Sequence, residues 1–270
     1  MTKTDVQVNI DSIRSMLQAA RYSKTASGDL IKFIFTSSLA VYGGKLPETV
    51  DATTITTPEG AYGTGKLVAE LLVNEYSRRG LIDGRILRLP TIVVRPGLPS
   101  PATSAFISGI IREPLHGEQA LCPVGDSLES PELSLAAWVA SPEVTIRNFV
   151  QAKHVPADKF LPHTRAVYLP GFTTTVREEI EALRQVAGEE AVKLISFKVC
   201  LSYFGTSTLT DVPRMTQQTD VSSRHGLPSS TTLTHSVSAS PPMKEVWSPL
   251  SRGSRMPSLP GLLRLEFCSY

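Results

Sequence analysis

Apolar positions recur along the chain at two different periods, and the change from one to the other marks out its elements. Residues 8–22 repeat every three to four positions, which places Ile10, Ile13, Met16 and Leu17 on one side of a helix behind a polar lead-in. After a turn over residues 23–29, the stretch from Ile31 to Thr36 is almost continuously apolar, aromatic and branched. It predicts a strand buried on both faces, as in a parallel sheet. Its carboxyl end delivers Thr36, Ser37 and Ser38 before Tyr42-Gly43-Gly44 breaks the pattern. Helical periodicity returns over residues 61–79, with Leu67, Leu71, Leu72 and Tyr76 spaced for an apolar face. A turn at residues 80–84 leads into a second buried strand, residues 85–94.

The pattern continues with a loop over residues 96–104 and a helix over 105–111 that should end before Pro114. Strands are predicted at 120–124, 136–140 and 166–169, and a helix at 144–153, with a loop over 126–135. A further helix, 175–186, has its cap among Thr173 to Thr175 and Gly188 after its end. Glu178, Glu179 and Glu181 read as a solvated face of that helix and not as a metal site. From Val199 onward the composition turns to Ser, Thr and Pro with no sustained period. Such a tail buries too little apolar surface to offset its ordering entropy and is expected to stay disordered.

Composition removes several classes of function. The 41% hydrophobic fraction is ordinary for a globular protein, and 270 residues suit one or two domains. A net charge of +2 carries no message about nucleic acid. Cys122, Cys200 and Cys268 have no metal-ligand spacing and argue against a disulfide framework. No apolar run reaches membrane-spanning length and no secretory leader is evident, so a cytoplasmic location is expected.

The chemistry lies between the first strand and the helix after it. Tyr62 and Lys66 stand four residues apart, hence on one helix face. A tyrosine is a poor base at neutral pH, and an ammonium group one turn away favours the phenolate. A serine hydroxyl at the facing strand end would hold a substrate oxygen while the tyrosine exchanges its proton. Tyr-x-x-x-Lys alone is a weak signal; preceded by strand-borne Thr36-Ser37-Ser38 and Tyr42-Gly43 it is much more specific. Arg95 follows the second strand, and a carboxylate clamp and a plain surface arginine weigh about evenly there. Arg112 and His116 are candidates to line a substrate pocket, although lone histidines such as His116, His154 and His163 are more often structural.

Phe35-Thr36-Ser37-Ser38-Leu39-Ala40-Val41-Tyr42-Gly43 and Tyr62-Gly63-Thr64-Gly65-Lys66 together resemble the extended short-chain dehydrogenase/reductase superfamily, which includes nucleotide-sugar epimerases and dehydratases. Residues 70–80, 87–97 and 108–115 draw the likeness toward its D-erythronate dehydrogenase-like branch, and it runs from about Val8 to Lys198. The resemblance implies an α/β fold: an incomplete Rossmann-type doubly wound parallel sheet over residues 1–198, with a small α+β substrate part mainly over 96–198. It implies Ser38, Tyr62 and Lys66 as the catalytic set, with Tyr62, Lys66 and Pro90 toward the nicotinamide cofactor. Ser37, Thr91 and Arg95 would face the substrate. The cofactor is NAD, with NADP left open, and the substrate a small sugar acid whose secondary hydroxyl is oxidised. A homodimer is the partner the superfamily suggests.

One part of the family pattern is missing ahead of the serine strand. The superfamily opens with a strand, a glycine-rich turn and a helix whose amino end holds the pyrophosphate, whereas Gly28 is the one glycine here before Gly43. Two other readings therefore stand beside the dehydrogenase. One is a nucleotide-sugar epimerase or dehydratase with its nucleotide pocket over residues 96–118. The other is a non-catalytic fragment that binds a partner.

Overall fold

The computed structural model describes residues 1–47, 49–97, 104–161 and 163–198, together with the backbone of Arg214–Met215. The expected tail, 199–270, lies outside the described residues apart from that last pair. The chain opens with α1 (Lys3–Val6), a π-helical stretch (Gln7–Asp11) and α2 (Ser12–Arg21), which run on without a break. Helix begins inside the expected lead-in because Thr2 and Asp5 form a reciprocal capping box there.

Three parallel strands form the central sheet in the order β1 (Lys32–Ser38), β3 (Asp83–Leu89), β7 (Ala166–Tyr168). The short β2 (Thr49–Val50) lies between the first two in sequence and pairs with β10 (Arg214–Met215). On one face α2 and α3 (Ala61–Arg78) bury Leu17, Ala69 and Val73 against Phe35 and Ile86. On the other, α5 (Pro142–His154) brings Phe149 and Ala152 onto Ile34 and Leu87. Helices on both faces are what a parallel sheet requires. The β1 strand is less enclosed than its sequence suggests, however: the α5 cover reaches Ile34, and Thr36 is exposed.

The expected strand over 85–94 is two strands. Pro90 has no amide to donate to a ladder, so β3 ends at Leu89 and β4 (Thr91–Ile92) joins a different sheet. There β6 (Ala136–Ala140) pairs in parallel with β4 and antiparallel with β8 (Phe172–Thr175), a strand the periodicity did not reveal. A parallel pair, β5 (Ala120–Cys122) with β9 (Ile195–Phe197), completes this second part. Its core is shared by α4 (Ala105–Leu115) and α6 (Val176–Ala187), with Ile110, Ile111, Val139, Ile180 and Leu183 fully packed. α7 (Glu189–Val192) adds Ala191 and Val192 to it. α4 continues through Pro114 and ends one residue later, at Leu115, so the amide the proline lacks costs the helix a bond only in its final turn.

Two helix faces differ from the sequence reading. On α3 the buried side is formed by Gly63, Gly65, Ala69, Glu70, Val73 and Ser77, whereas Leu71 is 63% exposed. Small residues lie inward because the helix is pressed close to its neighbours. On α6, Glu178 takes part in a capping box with Thr175, as a first-turn acid should. Glu179 instead points into the core at 1% exposure, which corrects the reading of the acidic cluster as wholly solvated.

Candidate functional site

The start of α3 is fitted against the end of β1 through glycine. A Cβ on Gly63 would lie 1.9 Å from the Ala40 carbonyl oxygen, and one on Gly65 would lie 2.5 Å from the Asn9 Cβ. Both positions cost helix propensity, roughly 1 kcal/mol each relative to alanine; Gly63 lets the backbone of α3 touch the turn that follows β1, and Gly65 lets it touch the amino-terminal helix at Asn9. That turn, Leu39–Val41, starts at Ser38, whose Oγ accepts from the Ala40 amide at 3.2 Å and keeps its own hydroxyl hydrogen to donate.

Tyr62 and Lys66 lie one turn apart on the side of α3 that meets this strand end. The Lys66 ammonium donates to the Thr36 carbonyl at 2.9 Å and stands 5.5 Å from the centre of the Tyr62 ring and 5.1 Å from that of Phe35. Burial lowers the Lys66 pKa from its ordinary value by disfavouring the charged form. The Tyr62 ring is 52% exposed, so its hydroxyl is open to a ligand. Ser38, Tyr62 and Lys66 thus lie on elements in direct contact, with Gly63 setting the approach.

The other expected residues divide. Ser37 is 2% exposed and its hydroxyl donates to Glu70 at 2.5 Å, so it faces inward and not toward a substrate. Pro90 is buried where β3 gives way to β4, and Thr91 is half-buried in β4 opposite Val139. Arg95 is exposed, on a backbone held from two sides. Its amide donates to Ser108 Oγ at 3.1 Å, and its carbonyl accepts from Arg112 at 3.1 Å. Val94, just before it, has φ of 54°, a left-handed conformation rare for a β-branched residue and a form of backbone strain that concentrates at functional sites. Arg112 also forms an ion pair with Glu113, and His116 Nδ1 bonds to the Arg112 carbonyl. Arg112 thus braces the Arg95 segment, while His116 closes on its own helix.

A polar network beneath the strand end was not anticipated. Arg88 grips Glu70 with two parallel bonds, Nε to Oε1 at 2.9 Å and Nη2 to Oε2 at 2.6 Å, and donates a third to the Tyr42 hydroxyl at 2.5 Å. Tyr42 and Tyr168 share a hydrogen bond, and Tyr168 donates to the Asp51 carbonyl at 2.8 Å. Burial first, and then the Tyr168 hydroxyl, push the Tyr42 pKa far up, so Tyr42 stays neutral. Burial pulls the Arg88 guanidinium down, but the Glu70 carboxylate more than offsets it and the pair is ionic. The available signal was two charged residues, Glu70 and Arg88, on the inward sides of otherwise apolar elements.

A cleft of about 270 Å³ lies away from the Ser38–Tyr62–Lys66 corner, beside β7, lined by Thr54, Thr56, Arg88, His163, Thr164 and Tyr168 among others. None of the residues expected at the site lines it. Among the described residues, no group of three or more His, Cys, Asp or Glu side chains is arranged to hold a metal ion, and no helix is long and apolar enough to cross a membrane.

The chain is similar in sequence and fold to known proteins. Residues 2–130 match the model of the NAD dependent epimerase/dehydratase family. A D-erythronate dehydrogenase of Haemophilus influenzae is 43% identical over 196 residues, covering 71% of this chain and 57% of the relative. A second D-erythronate dehydrogenase, from Cupriavidus necator, is 44% identical over 193 residues, covering 72% and 56%. The crystal structure of a nucleoside-diphosphate-sugar epimerase from Agrobacterium tumefaciens superposes with a TM-score of 0.65 at 40% identity, covering 73% of this chain and 56% of that one. The chain therefore spans a little over half the length of the relatives it matches.

Proposed function

We propose, from the match of residues 2–130 to the NAD dependent epimerase/dehydratase family, that the chain is an oxidoreductase part of that family acting on a secondary hydroxyl of a small, erythronate-like sugar acid. The observation that carries this reading is the Lys66 ammonium, half-desolvated and placed between the β1 strand end and the Tyr62 ring.

In this reading Tyr62 removes the proton of the substrate hydroxyl, and the Ser38 hydroxyl donates to that oxygen and fixes its direction. The positive charge of Lys66, little screened where it sits, stabilises the phenolate as it forms. The cofactor would be NAD, and when bound it would accept the hydride from the carbinol carbon, leaving a ketone. Tyr62 and Lys66 fit the nicotinamide-ribose end of such a group, since a half-exposed hydroxyl and a desolvated ammonium both suit ribose hydroxyls. The described residues do not form a backbone cradle for its pyrophosphate. Arg95 would bind the substrate carboxylate, and a strained, doubly held backbone suits a residue whose side chain must be aimed. Thr91 and Pro90 would border the same space.

The test is calorimetric titration of the purified chain with NAD, followed by turnover with erythronate. The expected result is saturable binding that persists in Tyr62→Phe, with turnover lost by about 10²-fold or more in that variant. A folded chain that binds no NAD, or a Tyr62→Phe variant that turns over as the parent does, would overturn the reading. The first of those outcomes would favour a fragment that binds a partner. Turnover of a nucleotide sugar in place of erythronate would favour the epimerase reading, for which residues 98–103 of the expected pocket lie outside the described residues.

A further inference from the structure

Tyr62, Lys66 and Glu70 follow one another at intervals of four along α3, so they form one stripe that runs from the exposed Tyr62 to the buried Glu70. Each of the last two is fastened to a successive residue of β1: Lys66 to the Thr36 carbonyl and Glu70 to the Ser37 hydroxyl. Ser38 is next in the strand. Glu70 is also clamped by the planar fork of Arg88, which rises from the neighbouring strand β3. Two parallel bonds from a guanidinium fix both distance and rotation, which a single bond or a lysine would not.

We propose that Glu70, held by Arg88, is a positioning residue for the acid–base pair, setting the rotation of α3 so that Lys66 and Tyr62 face the Ser38 end of β1. This rests on the function proposed above. A buried ion pair is weak evidence for stability, since desolvation cancels much of its attraction; what such a pair can supply is a single geometry. The surroundings fit that role. Tyr42, in the segment that follows Ser38, takes the third Arg88 bond, so the fork reads the position of that segment as well as of α3. The glycine contacts at Gly63 and Gly65 allow close approach, Ala69 and Val73 turn one side of the helix to the core, and the ion pair adds a directional constraint to that packing.

The test uses the Glu70→Gln/Arg88→Met double variant, which removes the lock without leaving one charge buried alone. The primary readout is the side-chain NMR titration of Lys66, assigned with Lys66→Arg. The parent Lys66 should titrate below the ordinary lysine range. In the folded double variant it should move back toward that range, whereas Glu75→Gln, which breaks an exposed pair with Arg78 on the same helix, should leave it unmoved. Where the chain turns over, kcat should fall by about 10²-fold with KM little changed, as for a small misplacement of reacting groups. A double variant that is folded by near-UV circular dichroism and shows the parent Lys66 titration overturns the proposal. Should it fail to fold, Glu70→Asp, which keeps the charge but withdraws it by one methylene, is read in the same way and against the same outcomes. The Lys66 readout needs neither cofactor nor substrate. An inactive parent chain would therefore count against the function and not against the lock.

Discussion

Glu179 has both carboxylate oxygens buried without a hydrogen-bond partner among the described residues. Burial raises its pKa well above the ordinary 4.5, so the folded chain holds this carboxyl neutral. Burial likewise pushes the nearby Cys122 thiol up to about 11. The linkage has a definite sign. As pH rises above about 4.5 the unfolded chain releases this proton while the folded chain retains it, so this group's contribution to stability is most favourable at acid pH. It falls as pH climbs toward the folded pKa. Glu179→Met should therefore stabilise the protein at pH 7 by about 1–3 kcal/mol, the scale of an unsatisfied buried polar group. The gain over the parent should shrink as pH is lowered through 4.5. Urea unfolding at several pH values measures this, and a difference that stays level from pH 4 to 8 would remove the explanation. The acidic run from Glu178 to Glu181 could not announce which carboxylate lay inside, because that depends on the packing of α6 against α4 and β8 and not on local composition.

At the scale of elements, the contact of α3 with the turn after β1 is the determining feature. Alanine is the better helix former, so Gly63→Ala at an open position would stabilise by up to roughly 1 kcal/mol. Here its Cβ would meet a backbone oxygen at 1.9 Å, and main chain has to move. The expected outcome is a loss of about 1–3 kcal/mol, the usual scale of overpacking, and a raised Lys66 titration, since its bond to Thr36 depends on that approach. Chemical denaturation checks the first part; a variant as stable as the parent would mean the helix can slide without consequence. The same contact explains what was legible in the sequence. Strand β1, helix α3 and the Ser38–Tyr62–Lys66 set could be read because each combines a local period with an unusual residue type at a fixed offset. The split of the expected second strand at Pro90 was also written in the chain, as a missing amide donor. What could not be read was long-range: the inward turn of Ser37, the Arg88 fork on Glu70, and strand β8, whose threonines are in a sheet because β6 is beside them. The exposed Leu71 belongs here too. Helical periodicity finds an apolar stripe, but a helix that packs on glycine and alanine turns its small residues inward and its leucine out.

At the scale of the whole molecule, the central sheet ends at β1, which pairs on one side with β3 and has no partner strand on its other side among the described residues. The Asp83 amide donates to the Ile31 carbonyl at 2.9 Å, and with the parallel register of Lys32 against Asp83 this fixes which groups face which way. In a parallel ladder alternate residues turn both backbone groups to the same neighbour. Phe33, Phe35 and Ser37 thus bond to β3, and Ile34 and Thr36 point to the open edge. The Thr36 carbonyl is the acceptor that Lys66 takes, so a group of the candidate site caps part of that edge. Amide hydrogen exchange should therefore alternate along β1 in the isolated chain, slow at Phe33, Phe35 and Ser37 and faster by orders of magnitude at Ile34 and Thr36. Uniform protection along the strand would mean that another strand covers the edge, and dilution would tell a second copy from a segment of the same chain, since only the former is released. An exposed parallel edge is an association hazard. A covering strand would also compete with Lys66 for the Thr36 carbonyl, so the exchange pattern and the Lys66 titration should change together when the edge is filled.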